Sequence, residues 1–463
     1  MSQPSNELDR RRFLQTTAAA GLGATAVGAG GAAQAQAAAD APKIDPKKLI
    51  RRNEKPDTEY RRLGRTNFMT SRIVAGWIQD KALVRRVFGT GVNYCDNARG
   101  YGQYEVDIKP FLARNRDKLW LTSKATGIAG YNVVDAEVEK LYRKAMKTFL
   151  GESEGDLLAL HKKAVEKQAK TGDKPDLRPA GKRITQLYVK MLHESLERMG
   201  VDDVDCYMVH GIEIPWIFDC TELWDAYAKA HKEGKIKHFG FSSHKHQKPV
   251  LAAAVEANRR GPWKIDLVMP GVNPASFDTL KPELASLEKQ DVGVIAMKTS
   301  GIKNRPVDGR EKKFNTLMGG KTYNEYERAK LWMLHLTEGL VDAVIAQVKN
   351  TDEMSRTFAL PSVKLTAAAE RELEALVKFE MAGACHLCGD CETHCPEHIA
   401  VTDMIRYHAY IHQYDETELA RELYQQHGYD PSRVCNNCGK CSDACTSDVR
   451  ITELLHQLSR DLA

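Results

Sequence analysis

Two runs of cysteine share one spacing near the end of this 463-residue chain: Cys385-x-x-Cys388-x-x-Cys391-x-x-x-Cys395-Pro396, and Cys435-x-x-Cys438-x-x-Cys441-x-x-x-Cys445. A [4Fe-4S] cluster needs four thiolates converging on a small cube of iron and sulfide, and in paired runs of this spacing the fourth cysteine ligates the other cluster. C-x-x-C pairs also suit tetrahedral zinc, and paired cysteines can close a disulfide knot. The clusters are favoured because each run supplies four ligands at an unvarying spacing and the first ends in proline. Eight of the eleven cysteines are used in this way. The expected cofactors are therefore two [4Fe-4S] clusters, each handling one electron at a time. Cys95, Cys206 and Cys220 are left over and read as core thiols.

Upstream of the cysteines the chain alternates short apolar runs with helical patterns. Strands are expected over 71–76, 92–96, 119–124, 204–210, 238–242, 267–271, 293–298 and 343–347. Eight strands alternating with helices predict the α/β class and a closed (β/α)8 TIM barrel rather than an open sheet. Polar residues tend to fall at the C-terminal ends of these runs, which in such a barrel form the catalytic face. Between and after the cysteine runs, apolar residues at helical spacing predict helices over 401–413, 416–426 and 451–458. The cysteines thus belong to a mainly helical C-terminal domain over 379–463, following a barrel over 58–378.

Four ordered segments resemble the aldo-keto reductases. Tyr60-Arg61-Arg62-Leu63-Gly64-Arg65-Thr66 is similar to their opening hairpin, and Asp96-Asn97-Ala98-Arg99-Gly100-Tyr101-Gly102 to their Asp-x-Ala-x-x-Tyr-Gly signature. The strand Leu119-Trp120-Leu121-Thr122-Ser123-Lys124 resembles the one carrying their catalytic lysine. Ser195-Leu196-Glu197-Arg198-Met199-Gly200, running into Val204-Asp205-Cys206-Tyr207-Met208-Val209-His210, resembles the helix and strand that deliver their histidine. The C-terminal runs resemble two-cluster ferredoxins, a tail found on one branch of that family. The resemblance implies carbonyl–alcohol interconversion by Tyr101, Lys124, Asp96 and His210, acting on a small carbonyl or alcohol substrate.

The chemistry of those four residue types is coherent in itself. A carbonyl becoming an alkoxide needs a proton donor, and an unperturbed tyrosine with a pKa near 10 is a poor one at neutral pH. A neighbouring ammonium favours the phenolate, and an aspartate beside the lysine keeps it charged and in place. The imidazole can orient the carbonyl or relay the proton. Taken singly, each residue has an ordinary structural role, such as an ion pair, a core histidine or a packed aromatic. Together at successive strand ends they read as a site.

Cofactor contacts follow from the same resemblance. The positions that hold a nicotinamide in the family correspond to Ser242-Ser243-His244 and Met269, so Ser242 is retained while the amide side chains are replaced. Lys298, closing the seventh strand, is a further candidate contact. The loop after the eighth strand keeps Lys349, Asn350 and Arg356, whose charges could grip a 2′-phosphate or simply be solvated. NADP(H) is one candidate cofactor, and a flavin is another, because a barrel can bind FMN through phosphate loops alone. His244-x-His246 has the spacing of a metal pair but no third ligand nearby. His244 is expected to stand beside the nicotinamide or the substrate instead.

The N-terminus bears on where this chemistry takes place. Arg10-Arg11-Arg12-Phe13-Leu14 is followed by an uncharged, small-residue stretch and by Ala33-Gln34-Ala35, resembling a twin-arginine export signal over 1–37. Gly21-Leu22-Gly23-Ala24-Thr25-Ala26 fits a dinucleotide fingerprint only in letters, since no strand precedes it. A linker over 38–57, with Pro42, Pro46 and Pro56, leads to the barrel. The protein is thus expected in the periplasm or otherwise exported, with a redox partner protein and no free NADPH. The net charge of +5 is interspersed, which argues against nucleic acid, and no segment reads as a stable membrane insertion. Nothing in the sequence sets the oligomeric state.

An insertion at about 127–182 follows the third strand. Val134, Val138, Leu141, Ala145 and Phe149 fall at helical spacing, and a charged run over 152–174 follows. Its position on the catalytic face suits a lid or partner-docking element, or a solvated decoration. Trp77 and Trp216, each just past a strand end, are candidates for lining the substrate pocket.

Overall fold

The computed structural model describes residues 45–128, 134–302 and 306–462. The expected export signal, its arginine pair and the Gly21 motif lie outside the described residues, as does the first part of the linker.

A hairpin of β1 (Tyr60–Arg62) and β2 (Met69–Ser71) precedes eight parallel strands: β3 (Ile73–Ile78), β4 (Tyr94–Asp96), β5 (Trp120–Ala125), β6 (Val204–Val209), β7 (Ile236–Ser243), β8 (Leu267–Pro270), β9 (Gly293–Ala296) and β10 (Ala343–Val348). These eight close into a barrel in chain order, with β10 pairing both β9 and β3. All eight expected strands are present. The first begins at Ile73 rather than residue 71 because Ser71 is held in the hairpin, paired with Tyr60.

The hairpin plugs the N-terminal end of the barrel. Leu63 and Phe68 are fully buried against Tyr94, Trp120, Leu267 and Ile295, and burial of each such side chain contributes about 1.5–3 kcal/mol. Arg62 forks onto the Asp291 carboxylate at 2.6 Å. Gly64 makes the approach possible: its φ is +47°, and a Cβ there would stand 2.2 Å from the Gly293 nitrogen.

The insertion is ordered helix rather than loose decoration. Asp135 caps the helix Ala136–Leu150 by accepting from the Glu137 and Val138 amides, and Asp156 caps Leu157–Thr171 through the Ala159 amide. Gly151 and Gly172, both at positive φ, end the two helices. The expected charged run is therefore the outer face of a helix whose Leu158, Leu160 and Ala164 are buried. Trp216 stacks on Tyr142 of the insertion, with ring centroids 5.3 Å apart. It packs this element down instead of facing a pocket.

The last barrel helix, Ala367–Glu380, is followed by the cysteine-bearing segment, which has a core of its own. Helices Val401–His412, Thr417–Gln425 and Ile451–Leu462 bring together Met404, Tyr407, Leu423, Leu455 and Leu458. Among the described residues no helix is long and apolar enough to cross a membrane.

Replacing Gly64 with alanine combines left-handed strain with a backbone clash. It is expected to lower the unfolding free energy by more than about 2 kcal/mol, read as a shift of the urea midpoint.

Candidate active site and cysteine loops

Strands β4 and β5 run side by side, with Asp96 opposite Thr122, so the residues that end them emerge on one face. Lys124 on β5 is almost wholly buried and donates to both Asp96 oxygens, at 2.6 and 2.5 Å, and to the Asn97 carbonyl at 2.9 Å. The Tyr101 hydroxyl, in the turn after β4, lies 3.4 Å from the Lys124 ammonium and 3.4 Å from Asp96 Oδ2. His210, one residue past β6, meets the Tyr101 ring edge-on at 5.8 Å, and its Nδ1 is hydrogen-bonded to Thr126 Oγ1 at 2.8 Å. The structure thus brings together Tyr101, Asp96, Lys124 and His210.

Burial dominates the electrostatics of this group. It pushes the Asp96 carboxyl up and the Lys124 amine down from their ordinary values, each opposed by the charge of the other. His210 is held well below its ordinary value by burial, with Lys124 and Lys298 adding repulsion, so its ring is neutral at physiological pH. His244 is depressed in the same way and lies 5.5 Å from His210, ring to ring. Trp77, at the end of β3, stacks on Tyr101 at 5.7 Å with an interplanar angle of 8°. It also lines an open cleft of about 350 Å³ shared with Gln79, Glu418, Arg421 and Glu422.

The candidate nucleotide contacts are bonded within the chain. Ser242 Oγ accepts from the Gly211 amide, and Ser243 Oγ donates to the Lys245 carbonyl, both at 2.9 Å. Asn350 caps the helix Thr351–Phe358, and Arg356 forks onto Glu327 at 2.6 and 2.8 Å. Lys298 donates to the Tyr410 hydroxyl at 2.5 Å. Lys349 reaches the Tyr414 carbonyl at 3.1 Å and Glu416 at 2.8 Å. Two of the six therefore hold the cysteine-bearing segment against the barrel. Met269 is buried in β8.

The two cysteine runs repeat one backbone course. Leu387 and Asn437, each just before the second cysteine, have φ of 55° and 58°, and Gly389 and Gly439, each just after it, have 82° and 75°. Left-handed residues at these positions wrap each loop around a centre, and the Leu387 amide points at Cys385 Sγ, 3.4 Å away. Cys395 of the first run lines a small cavity with Cys435, Cys438 and Cys441 of the second. Cys445 in turn stands near Cys385 and Cys388, its thiol adding to the burial that pushes Cys385 up to about 12. The fourth cysteine of each run therefore lies toward the other run.

That arrangement fits a cluster better than the alternatives. All eight thiols are free of disulfides. Sulfurs around one tetrahedral zinc would stand about 3.8 Å apart, whereas among the described residues no three cysteine sulfurs come within 4.8 Å of one another.

Between the barrel and the first run lies a buried ionic group with no short-range sequence signature. Lys245, in the loop after β7, approaches Asp403 at 2.9 Å, Glu392 at 3.3 Å and Glu213 at 3.4 Å. Arg406 pairs with Asp403 at 2.6 Å. His246 Nδ1 lies 3.2 Å from the Cys388 carbonyl and its Nε2 3.4 Å from Glu392. The His244-x-His246 pair consequently diverges, one ring toward His210 and the other toward the cysteine loop. Thr126, Glu213, Lys245, Glu392 and Asp403 escaped the sequence reading because their contacts, from about 30 to about 160 residues apart in sequence, leave no periodic trace.

A family model described as "Aldo/keto reductase family" matches residues 79–302. No curated protein matches the chain. Similar solved structures include a protein from Brucella melitensis described as an aldo/keto reductase, with 15% identity, TM-score 0.45, and coverage of 68% of this chain and 97% of that one. Another, from Pseudomonas aeruginosa and assigned to the same class, has 18% identity and TM-score 0.42, covering 66% and 96%.

Two outcomes follow from these contacts. If the fourth cysteines cross over, Cys395→Ala and Cys435→Ala damage the same site. The double variant should then keep about as much iron as either single one, while Cys395→Ala with Cys385→Ala should lose nearly all of about eight irons, measured by iron analysis. Lys245→Met removes the cation shared by Glu213, Glu392 and Asp403, leaving Asp403 to Arg406 and Glu392 to His246, and should cost about 3–5 kcal/mol. The C-terminal segment should be released faster by limited proteolysis.

Proposed function

We propose that the protein is an exported oxidoreductase of aldo-keto-reductase type that interconverts a carbonyl and an alcohol, with electrons passing through two [4Fe-4S] clusters in the C-terminal segment. The observation that carries this reading is the Lys124 ammonium, fixed by Asp96 and standing 3.4 Å from the Tyr101 hydroxyl.

In the reducing direction Tyr101 hands its proton to the carbonyl oxygen as that oxygen gains charge. Lys124 stabilises the negative charge left on the phenol oxygen, and Asp96 keeps the ammonium from withdrawing. His210, neutral and braced by Thr126, orients the carbonyl. Trp77 packs on the Tyr101 ring and bounds the cleft through which a small substrate would approach.

The six candidate NADP(H) contacts, Ser242, Ser243, Lys298, Lys349, Asn350 and Arg356, are all bonded internally in this arrangement, which weighs against a ready-made nucleotide site. The cysteines do fit clusters: Cys385, Cys388, Cys391 and Cys445 would hold one, and Cys435, Cys438, Cys441 and Cys395 the other. When bound, such clusters would supply electrons singly, whereas the carbonyl carbon takes up a hydride in addition to the proton Tyr101 gives the oxygen, so a hydride-transferring cofactor such as a flavin would have to stand between them. Cys438 is exposed, whereas the Cys388 carbonyl touches His246. A redox partner protein would therefore dock near the second site, and the first faces the barrel. Export by a twin-arginine route suits a chain whose clusters are assembled before it crosses a membrane.

The internal bonding of the nucleotide contacts favours a second reading, a non-catalytic electron carrier on a reductase-like barrel. The test uses protein purified without oxygen, reduced methyl viologen and a panel of aldehydes and ketones. Tyr101→Phe should cut turnover by about 10²–10⁴-fold while viologen still reduces the clusters. Turnover unchanged by Tyr101→Phe would remove the tetrad from the mechanism. Absence of turnover on every carbonyl, with normal cluster reduction, would favour the carrier.

A further inference from the structure

Helices Val401–His412 and Ile451–Leu462 pack against each other and face one another with two polar pairs. His408 and His412 come from the first, Gln457 and Asp461 from the second. Residues four apart stand one above the other on a helix face, so each pair presents two side chains to the same spot. His412 Nε2 lies 2.7 Å from Asp461 Oδ2 and 3.4 Å from the Gln457 amide, and the two imidazole rings are 4.3 Å apart. One ligand atom each from His408, His412 and Asp461 falls within 4.8 Å of the others, the only such group of histidine, cysteine or carboxylate side chains among the described residues.

An ordinary surface ion pair explains His412 with Asp461 but not His408. Its Nε2 is shut off from solvent and makes no hydrogen bond of normal geometry, with the Gln457 side chain beside it. A buried nitrogen left in that state costs about 1–3 kcal/mol. A cation between the two helices would use its lone pair.

We propose that His408, His412 and Asp461 bind one divalent transition-metal ion of the zinc type. Two imidazoles and one carboxylate suit zinc, nickel or copper and not calcium or magnesium, which prefer all-oxygen sets. Zinc takes four ligands. The fourth is a water or the Gln457 amide oxygen, since the two ends of a glutamine amide are assigned from their surroundings. The role is structural. Helix Ile451–Leu462 carries Thr452 and Leu455 against the second cysteine cavity, and helix Val401–His412 carries Asp403 and Arg406 in the ionic group at the barrel. A metal across them clamps the cysteine-bearing segment from a point separate from both cysteine sites.

The inference is independent of the carbonyl reading and is tested without activity. The full chain, purified without oxygen and stripped with a mild chelator that leaves its iron content unchanged, is titrated with zinc sulfate. Zinc and iron are both counted by mass spectrometry, and thermal unfolding is followed with and without zinc. Wild type should take up about one zinc per chain at micromolar concentration with no loss of iron, and should unfold at a higher temperature with it. His408→Ala and His412→Ala should each weaken uptake by about tenfold or more and abolish the thermal shift. Asp461→Asn, an exposed change that leaves the fold untouched, should weaken it as well. No uptake by wild type, uptake unchanged in the double histidine variant, or uptake only in exchange for iron would each overturn the assignment.

Discussion

A lysine ammonium held almost wholly out of water at the mouth of a barrel must be neutralised, and the site is organised around that requirement. Desolvation opposes the charge of Lys124 and of Asp96 alike, and only their direct contact makes the pair tolerable. Contact requires β4 and β5 to be adjacent and in register, which barrel closure enforces. Because Asp96 and the Asn97 carbonyl fix the ammonium from one side, its remaining reach is toward the Tyr101 oxygen. The ion pair is therefore both a structural necessity of the barrel mouth and the source of the field acting on the phenol.

A second constraint is the way the C-terminal segment is seated. Lys245, Arg406 and His246 face Glu213, Glu392 and Asp403 in a region with little access to solvent, and neither side of the contact is balanced alone. Barrel and segment thus need each other's charges. The same seating engages Lys298 and Lys349, two cations that could otherwise meet a nucleotide phosphate, and places the first cysteine loop beside the loop that carries His244 and His246. A direct connection between cysteine site and barrel and the occupation of the candidate nucleotide contacts are consequences of one packing arrangement.

Crossing of the fourth cysteines imposes a third. Because Cys395 lies with the second run and Cys445 acts on the first, both loops have to be folded and packed before either set of four thiols can form. The helices between the runs supply the shared core that holds them in place. This makes the segment cooperative, in keeping with the proposed transport of an already folded protein.

Much of this was legible in the residues. Eight apolar runs with intervening helical periods determined the barrel, because strand and helix periodicities are local properties of the chain. The unvarying cysteine spacing determined that two equivalent loops would form, and the structure added the left-handed residues that flank each second cysteine. Asp96, Tyr101, Lys124 and His210 could be named in advance because the segments carrying them resemble family motifs, and strand ends in a barrel converge wherever they occur in sequence. What only the tertiary structure decided depends on distant contacts. It showed that Lys349 and Lys298 face the C-terminal segment, that Trp77 rather than Trp216 packs on the tyrosine, that the two histidines of the 244–246 pair point at different centres, and that His408 and His412 meet Asp461 across a helix interface. Local patterns specify which face a side chain takes on its own element, whereas burial energy and charge balance over the whole fold decide what that face meets.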